Sequence, residues 1–205
     1  MRRRLIGLIT LLTLAAVPVA AAQEKAATKP AKDAKPAAMP KAKQSAEMAK
    51  AEKMFAGNWV LDEKFEAMPE MGMPQAATGK GTETTRRGPG GNSLISDMKS
   101  TSSQGPFTGH GVMWYDPMAG GYQATWCDSD SPMGCMLNGT GKWQGNDLVF
   151  EFDAPMPPEM GGGKMHMRES YTDIKPGSFT FTIASGPNAD QMKPMMTIKY
   201  KRAGK

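Results

Sequence analysis

The chain has 205 residues, including 23 Gly and 16 Pro, and 40% of the sequence is hydrophobic. This composition excludes a long coiled coil, a collagen and a protein with many membrane spans. The net charge of +5 is unevenly distributed: residues 1–53 carry 11 Lys and Arg against 4 Asp and Glu, whereas residues 54–205 carry 14 against 16. The basic character therefore belongs to the N-terminal region, and no basic face for nucleic acid is indicated.

The N-terminus has the pattern of an export signal. Three arginines at positions 2–4 precede an apolar run at 5–22 that ends in small residues. This pattern predicts a signal peptide over residues 1–22, and hence a periplasmic or secreted protein with no stable membrane span after cleavage. Residues 23–44 contain mostly Ala, Lys and Pro with little apolar surface to bury, so we predict a disordered linker there.

Residues 45–205 are predicted to form a single domain that begins with a short helix. The segment 45–55 places Met48, Ala51 and Phe55 on one side of a helix, and Gly57 is a plausible stop.

Beyond the helix, the sequence predicts an all-β domain. Short runs rich in Thr, Val, Ile and aromatic residues alternate with turn residues about every eight to twelve positions. Short connections favour an up-and-down antiparallel barrel of about ten strands, because closure removes exposed sheet edges. The predicted strands are 58–67, 78–87, 93–103, 108–115, 121–127, 135–143, 147–153, 165–173, 178–185 and 195–202.

Cys127 and Cys135 are the two cysteines of the chain and stand eight positions apart. Export would place them in a compartment where disulfides persist, so we predict a bond between them. They do not form a Cys-x-x-Cys motif, and redox exchange chemistry is not indicated.

Several aromatic and glycine-rich motifs carry a family resemblance. They are Phe55–Trp59, Gly105–Gly111, Tyr115–Pro117, Tyr122 and Trp126–Ser129. Together they resemble the secreted bacterial proteins of domain-of-unknown-function family 1579, over about residues 55–202. The resemblance implies a calycin-like, lipocalin-type barrel. That family has no agreed activity, so it implies no catalytic residues.

Three residues are candidates for a ligand site inside the barrel. Strand alternation puts His110 on one face with Val112 and Trp114, and Trp126 on the apolar face of the next strand. We predict that His110, Trp114 and Trp126 line the interior and contact a small, largely apolar ligand or a partner protein.

The chain contains 19 methionines, many of them between the predicted strands. In an up-and-down barrel, every second connection emerges at the same end, which would gather Met68, Met71, Met73, Met133, Met156 and Met160. Met118 and Met192 are expected at the opposite end. Thioethers are soft ligands that suit Cu(I), so Met68, Met71, Met73, Met156 and Met160 are candidate ligands of a metal site. Alternatively, the methionines form an adaptable apolar mouth or pack under the loops.

Common catalytic signatures are absent from the sequence, including G-x-S-x-G, H-E-x-x-H and the glycine loops that bind phosphate or dinucleotides. We therefore predict no catalytic residues and favour an exported binding protein that holds a small apolar ligand at a Met-rich mouth. Two alternatives stay open: a periplasmic Cu(I)-binding protein, and a hydrolase or isomerase with a carboxylate site inside the barrel.

Overall fold

A computed structural model describes residues 42–69, 73–131, 134–156 and 162–204. The predicted signal peptide, and the predicted linker apart from residues 42–44, lie outside the described residues.

The N-terminal helix forms where the sequence predicts it. Helix α1 covers Ala46–Phe55, and the side chain of Ser45 caps it by accepting a hydrogen bond from the Met48 amide at 3.1 Å. Met48, Ala51 and Phe55 are buried on one face. The apolar spacing therefore fixes which side of α1 meets the rest of the protein.

Ten antiparallel strands follow and close into a barrel in chain order, with β1 pairing β10. The strands are β1 Gly57–Phe65, β2 Ala77–Arg87, β3 Ser93–Ser102, β4 Gly105–Asp116, β5 Gly121–Asp128, β6 Cys135–Gln144, β7 Asp147–Pro155, β8 Lys164–Lys175, β9 Ser178–Gly186 and β10 Lys193–Arg202. The predicted all-β barrel of about ten strands is confirmed, and most strand boundaries agree within three residues. No helix in these described ranges has the length and hydropathy of a membrane span.

The two ends of the barrel differ. At the helix end, α1 packs against the interior: Phe55 contacts the rings of Trp143, Tyr171 and Phe179, with centroids 6.4, 5.0 and 5.3 Å away. The Tyr122 hydroxyl also donates a hydrogen bond to the Glu47 carbonyl at 2.8 Å. We call the opposite end, where the odd-numbered strands finish, the loop end. The connections that carry Met68, Met73 and Met156 all belong to it.

One expectation about the loops is wrong. Met192 follows β9 and therefore lies at the loop end, whereas Met118, between β4 and β5, lies at the helix end as predicted. Strand direction alternates, so the connection after β9 must emerge at the same end as those after β1 and β7.

The predicted disulfide is present. Cys127 and Cys135 are bonded and are also directly opposite each other in the β5–β6 pair, where the loop-end connection begins and ends. Trp126 and Met136, the neighbouring pair on these strands, have the opposite orientation and point inward. The disulfide is therefore on the outer face and clamps the connection at its base.

Candidate ligand-binding cavity

The barrel encloses a cavity of about 330 Å³. It extends from Phe55, the last residue of α1, to Gln104 and Asp130, which are exposed at the loop end. The helix therefore forms a floor, and the cavity meets solvent at the opposite end. A volume of this size is at the lower limit of known small-molecule sites.

Most of the cavity wall is apolar. The aromatic and aliphatic lining residues include Phe55, Phe65, Leu94, Met98, Phe107, Met113, Ala124, Trp126, Met136, Tyr171, Phe179, Phe181, Ile183, Met196, Ile198 and Tyr200. These side chains come from inward positions of nearly every strand, because alternation directs every second residue into the barrel.

Two glycines on β4 hold the indole of Trp126 in place. Gly109 and Gly111 both point inward, and a Cβ at either position would collide with the Trp126 ring. The ring consequently lies flat against the β4 backbone. The Gly-His-Gly sequence thus has a structural role: two missing side chains create the space that the Trp126 indole occupies.

Glu63 is a buried carboxylate in this cavity. Its side chain crosses the inward face of Gly79, where a Cβ would overlap the carboxylate. Glu63 is 4% exposed, and neither carboxylate oxygen has a hydrogen-bond partner. Burial raises the pKa of Glu63, and the nearby Ser100 hydroxyl, too poorly placed for a regular hydrogen bond, offsets only part of that effect.

Glu83, on β2, also faces the cavity but is fully engaged. Thr85 donates a hydrogen bond to one carboxylate oxygen at 2.7 Å, and the Tyr200 hydroxyl donates to the other at 3.0 Å. Burial and the neighbouring Glu83 charge raise the pKa of Tyr200 far above its usual value, which keeps the phenol protonated as a donor. Glu83 therefore has a structural partner for each oxygen.

Glu169 is the third carboxylate of the cavity. The Asn138 side-chain amide donates a hydrogen bond to it at 2.7 Å, while the Asn138 carbonyl oxygen has no partner. Both residues are 6% exposed. Desolvation raises the pKa of Glu169 to about 7, only partly opposed by the hydrogen bond from Asn138. Glu169 can therefore exchange a proton near neutral pH.

The charged side chains that line the cavity, among the described residues, are all acidic. In addition to the three glutamates, Asp128 and Asp130 line the cavity towards the loop end, and none of its described lining residues is Lys, Arg or His. A cleft with one sign of charge and low-dielectric walls concentrates the opposite sign. The cavity therefore combines an apolar wall with an acidic potential.

Of the three predicted ligand residues, one lies inside the barrel and two lie on its outer face. Trp126 lines the cavity. The expectation that His110 and Trp114 also point inward is wrong. His110 is 48% exposed and its Nδ1 lies 2.7 Å from Asp97 Oδ1 on the outer surface. Trp114 shares this outer face, since its neighbour Met113 packs into the core.

The indole of Trp126 explains why His110 and Trp114 point outward. Because it requires the space above Gly109 and Gly111, the glycine face of β4 must turn inward and His110 must turn outward. The apolar character of Val112 and Trp114 suggested the reverse orientation.

The interior glutamates were not identified from the sequence, although strand alternation offers a signal. Glu63 shares a face with Trp59 and Leu61, and Glu169 shares one with Met167 and Tyr171. A carboxylate on an otherwise apolar strand face is unusual and indicates either an interior polar site or an error in the strand assignment. Glu83 gives a weaker signal, because its neighbours on that face are Gly81 and Thr85.

The methionines predicted to form the metal site are not the ones that line the cavity. Met68 and Met73 pair through their backbones within the β1–β2 connection, and Met156 follows β7. Met71, Met133 and Met160 lie outside the described residues. The methionines that line the cavity are different: Met98, Met113, Met136 and Met196. In the described part of the chain, no group of three or more His, Cys, Asp or Glu side chains is arranged to hold a metal ion.

Solved structures with similar folds are distant in sequence. The structure of Rv2717c from M. tuberculosis is 11% identical, with 78% of this chain and 99% of that chain covered and a TM-score of 0.50. A redesigned β-barrel, mFAP1, bound to DFHBI, is 18% identical, with coverage of 74% and 98% and a TM-score of 0.35. The first of these likenesses supports the barrel fold alone.

Comparison with curated proteins gives no match. A family model does match, over residues 44–202, from the helix cap to the end of β10. That model is described as a protein of unknown function, and the matched range contains every lining residue of the cavity. The chain therefore belongs to the family of proteins of unknown function DUF1579.

Proposed function

We propose that this protein is an exported binding protein that holds a small, largely apolar ligand inside the barrel. The observation that carries the proposal is the cavity of about 330 Å³, with an apolar wall and a floor formed by α1. Pockets of this kind, with a few polar groups among apolar side chains, are typical of small-molecule sites. The export pattern at the N-terminus and the disulfide support a role outside the cytoplasm.

The ligand would enter at the loop end. The exposed lining residues Gln104 and Asp130 belong to the β3–β4 and β5–β6 connections. The disulfide fixes the second of these connections at its base. The proposed mouth is therefore beside the disulfide, and Met68, Met73 and Met156 do not line it.

Binding of the neutral, environment-sensitive dye Prodan tests the proposal. Its emission should shift to the blue on addition of the protein, with saturation at one dye per chain. Trp126→Ala should weaken binding by about tenfold or more, because the dye loses the indole against which it packs. Trp114→Ala is the matched control, since it removes an indole from the outer face of the neighbouring strand.

A cavity-filling variant gives a second measurement. Ala124 points into the cavity, so Ala124→Phe should block the dye while circular dichroism shows that the barrel still forms. If Prodan binds the wild-type protein and Ala124→Phe equally well, the ligand site is not this cavity, and the proposal is wrong.

Cu(I) binding is a second proposal. It is supported by the position of Met68, Met73 and Met156 in connections at one end of the barrel, because thioethers suit Cu(I). Titration of the reduced protein with Cu(I) against a competing chelator should then show tight stoichiometric uptake. An unchanged chelator spectrum would overturn this second proposal.

A further inference from the structure

The cavity contains buried polar atoms that form no regular hydrogen bond with the protein. Among its described lining residues, these atoms are both carboxylate oxygens of Glu63 and the side-chain carbonyl oxygen of Asn138. Glu63 and Asn138 are more than nine-tenths buried. A buried polar atom without a partner destabilises the folded protein, so its presence in a cavity needs a reason.

The unsatisfied atoms share one chemical character. The Asn138 oxygen is an acceptor, and an ionised Glu63 offers two more acceptor atoms. Glu83 differs, because Thr85 and Tyr200 already donate to it. A ligand that complements the cavity must therefore bring hydrogen-bond donors.

The electrostatic surroundings restrict the ligand further. Five carboxyl side chains line the cavity with no basic lining residue among the described ones: Glu63, Glu83, Asp128, Asp130 and Glu169. Glu63 and Glu83 lie close enough to Tyr200 for both charges to raise its pKa, so this side of the cavity is acidic. Aromatic rings in the same wall also favour a cation over a neutral group.

We propose that the ligand is a small amphiphilic amine, whose protonated nitrogen binds at Glu63 and whose apolar body packs against Trp126 and the aromatic wall. This inference rests on the proposed function and specifies its ligand class. An ammonium group has up to three N–H donors and no acceptor, which matches acceptors that lack partners. Asp128 and Asp130, nearer the loop end, would attract such a cation to the cavity.

The proposal also explains how the empty cavity tolerates its carboxyl groups. Burial raises the pKa of both Glu63 and Glu169, which reduces their charge when no cation is present. A cation bound at Glu63 favours the ionised form and lowers the pKa of this carboxyl group. Binding should therefore release protons at pH values where Glu63, which faces Ser100 and Tyr200, is protonated in the empty cavity.

Three compounds with the same aromatic body test the proposal: 2-(1-naphthyl)ethylamine, 2-(1-naphthyl)ethanol and 1-naphthylacetic acid. Isothermal titration calorimetry at pH 7.5 should show the amine binding about tenfold or more tightly than the alcohol, and the acid more weakly than both. Repeating the amine titration at pH 5, near the ordinary pKa of a glutamate, in buffers of different ionisation enthalpy should show proton release.

Two variants assign the selectivity to the cavity. Glu63→Gln should reduce amine affinity towards that of the alcohol and leave alcohol affinity nearly unchanged. Asp62→Asn is the matched control, because Asp62 is adjacent in β1 but exposed on the outer face. It should preserve the preference for the amine.

The outcomes distinguish the two proposals. If the alcohol binds the wild-type protein as tightly as the amine, the amine inference is wrong and the apolar binding site stands. If Glu63→Gln keeps the full preference for the amine, the cation binds elsewhere and the assigned site is wrong. If neither the three naphthyl compounds nor Prodan bind, the proposed function itself fails.

Discussion

The helix end and the loop end of the barrel use similar residue types for different purposes. At the helix end, polar atoms among the aromatic rings are paired: the Trp59 indole donates to the Phe55 carbonyl at 2.8 Å, and the Trp143 indole donates to the Tyr122 hydroxyl at 3.2 Å. In the cavity, Glu63 and Asn138 keep atoms without partners. The comparison shows that α1 completes a packed core at one end of the barrel. The cavity towards the other end retains polar atoms without hydrogen-bond partners.

The largest effect is expected at the helix end. Phe55→Ala removes a ring that three aromatic side chains contact, and it should lower the free energy of unfolding by about 3–5 kcal/mol. Urea denaturation measures this change. Lys53→Ala, an exposed position of the same helix, should change the value by less than about 0.5 kcal/mol. Equal effects at both positions would contradict the role of α1 as a packed floor.

A somewhat smaller effect is expected from pH. Glu169 has an ordinary pKa of 4.5 when unfolded and about 7 in the barrel, so between these values the folded state binds more protons than the unfolded state. Stability is therefore highest below the unfolded value and is lost as pH rises through 7, by about 3 kcal/mol in total. Glu63 acts in the same direction.

Urea midpoints at pH 5 and pH 8 check this dependence. Glu169→Gln should flatten the profile and make the protein more stable than the wild type at pH 8. Asp62→Asn, which changes an exposed carboxylate, should keep the wild-type slope. A wild-type protein that becomes more stable from pH 5 to pH 8 would contradict the assigned pKa shift.

Removal of the disulfide at the loop end should have the smallest of the three effects on stability. Changing both Cys127 and Cys135 to Ser should destabilise the protein by about 2.5 kcal/mol, as expected for so short a closed loop. Because Asp128 ends β5 and Asp130 lies in the connection that the disulfide closes, Prodan binding should also weaken in this variant. Unchanged affinity would exclude a contribution of this connection to the mouth.

Local patterns in the sequence were sufficient for much of the architecture. The helix over 45–55, its buried face and the ten strands were predicted, because capping, alternation and turn chemistry act over a few residues. The Cys127–Cys135 bond was predicted because these are the two cysteines of a chain with an export pattern. The arrangement of loops at one end also follows, since each hairpin reverses the chain direction. The predicted position of Met192 was nevertheless wrong, because its connection follows an odd-numbered strand and lies at the loop end.

The contents of the cavity depended on tertiary structure. The sequence could not tell which face of β4 turns inward, because that choice depends on Trp126, which packs over Gly109 and Gly111 from the adjacent strand. Glu63, Glu83 and Glu169 belong to three different strands, and only closure of the barrel brings them to one cavity. Short-range preferences are enough to predict the elements and their order. Which side chains share the interior follows only from the folded barrel, because it depends on register and packing between strands far apart in the chain.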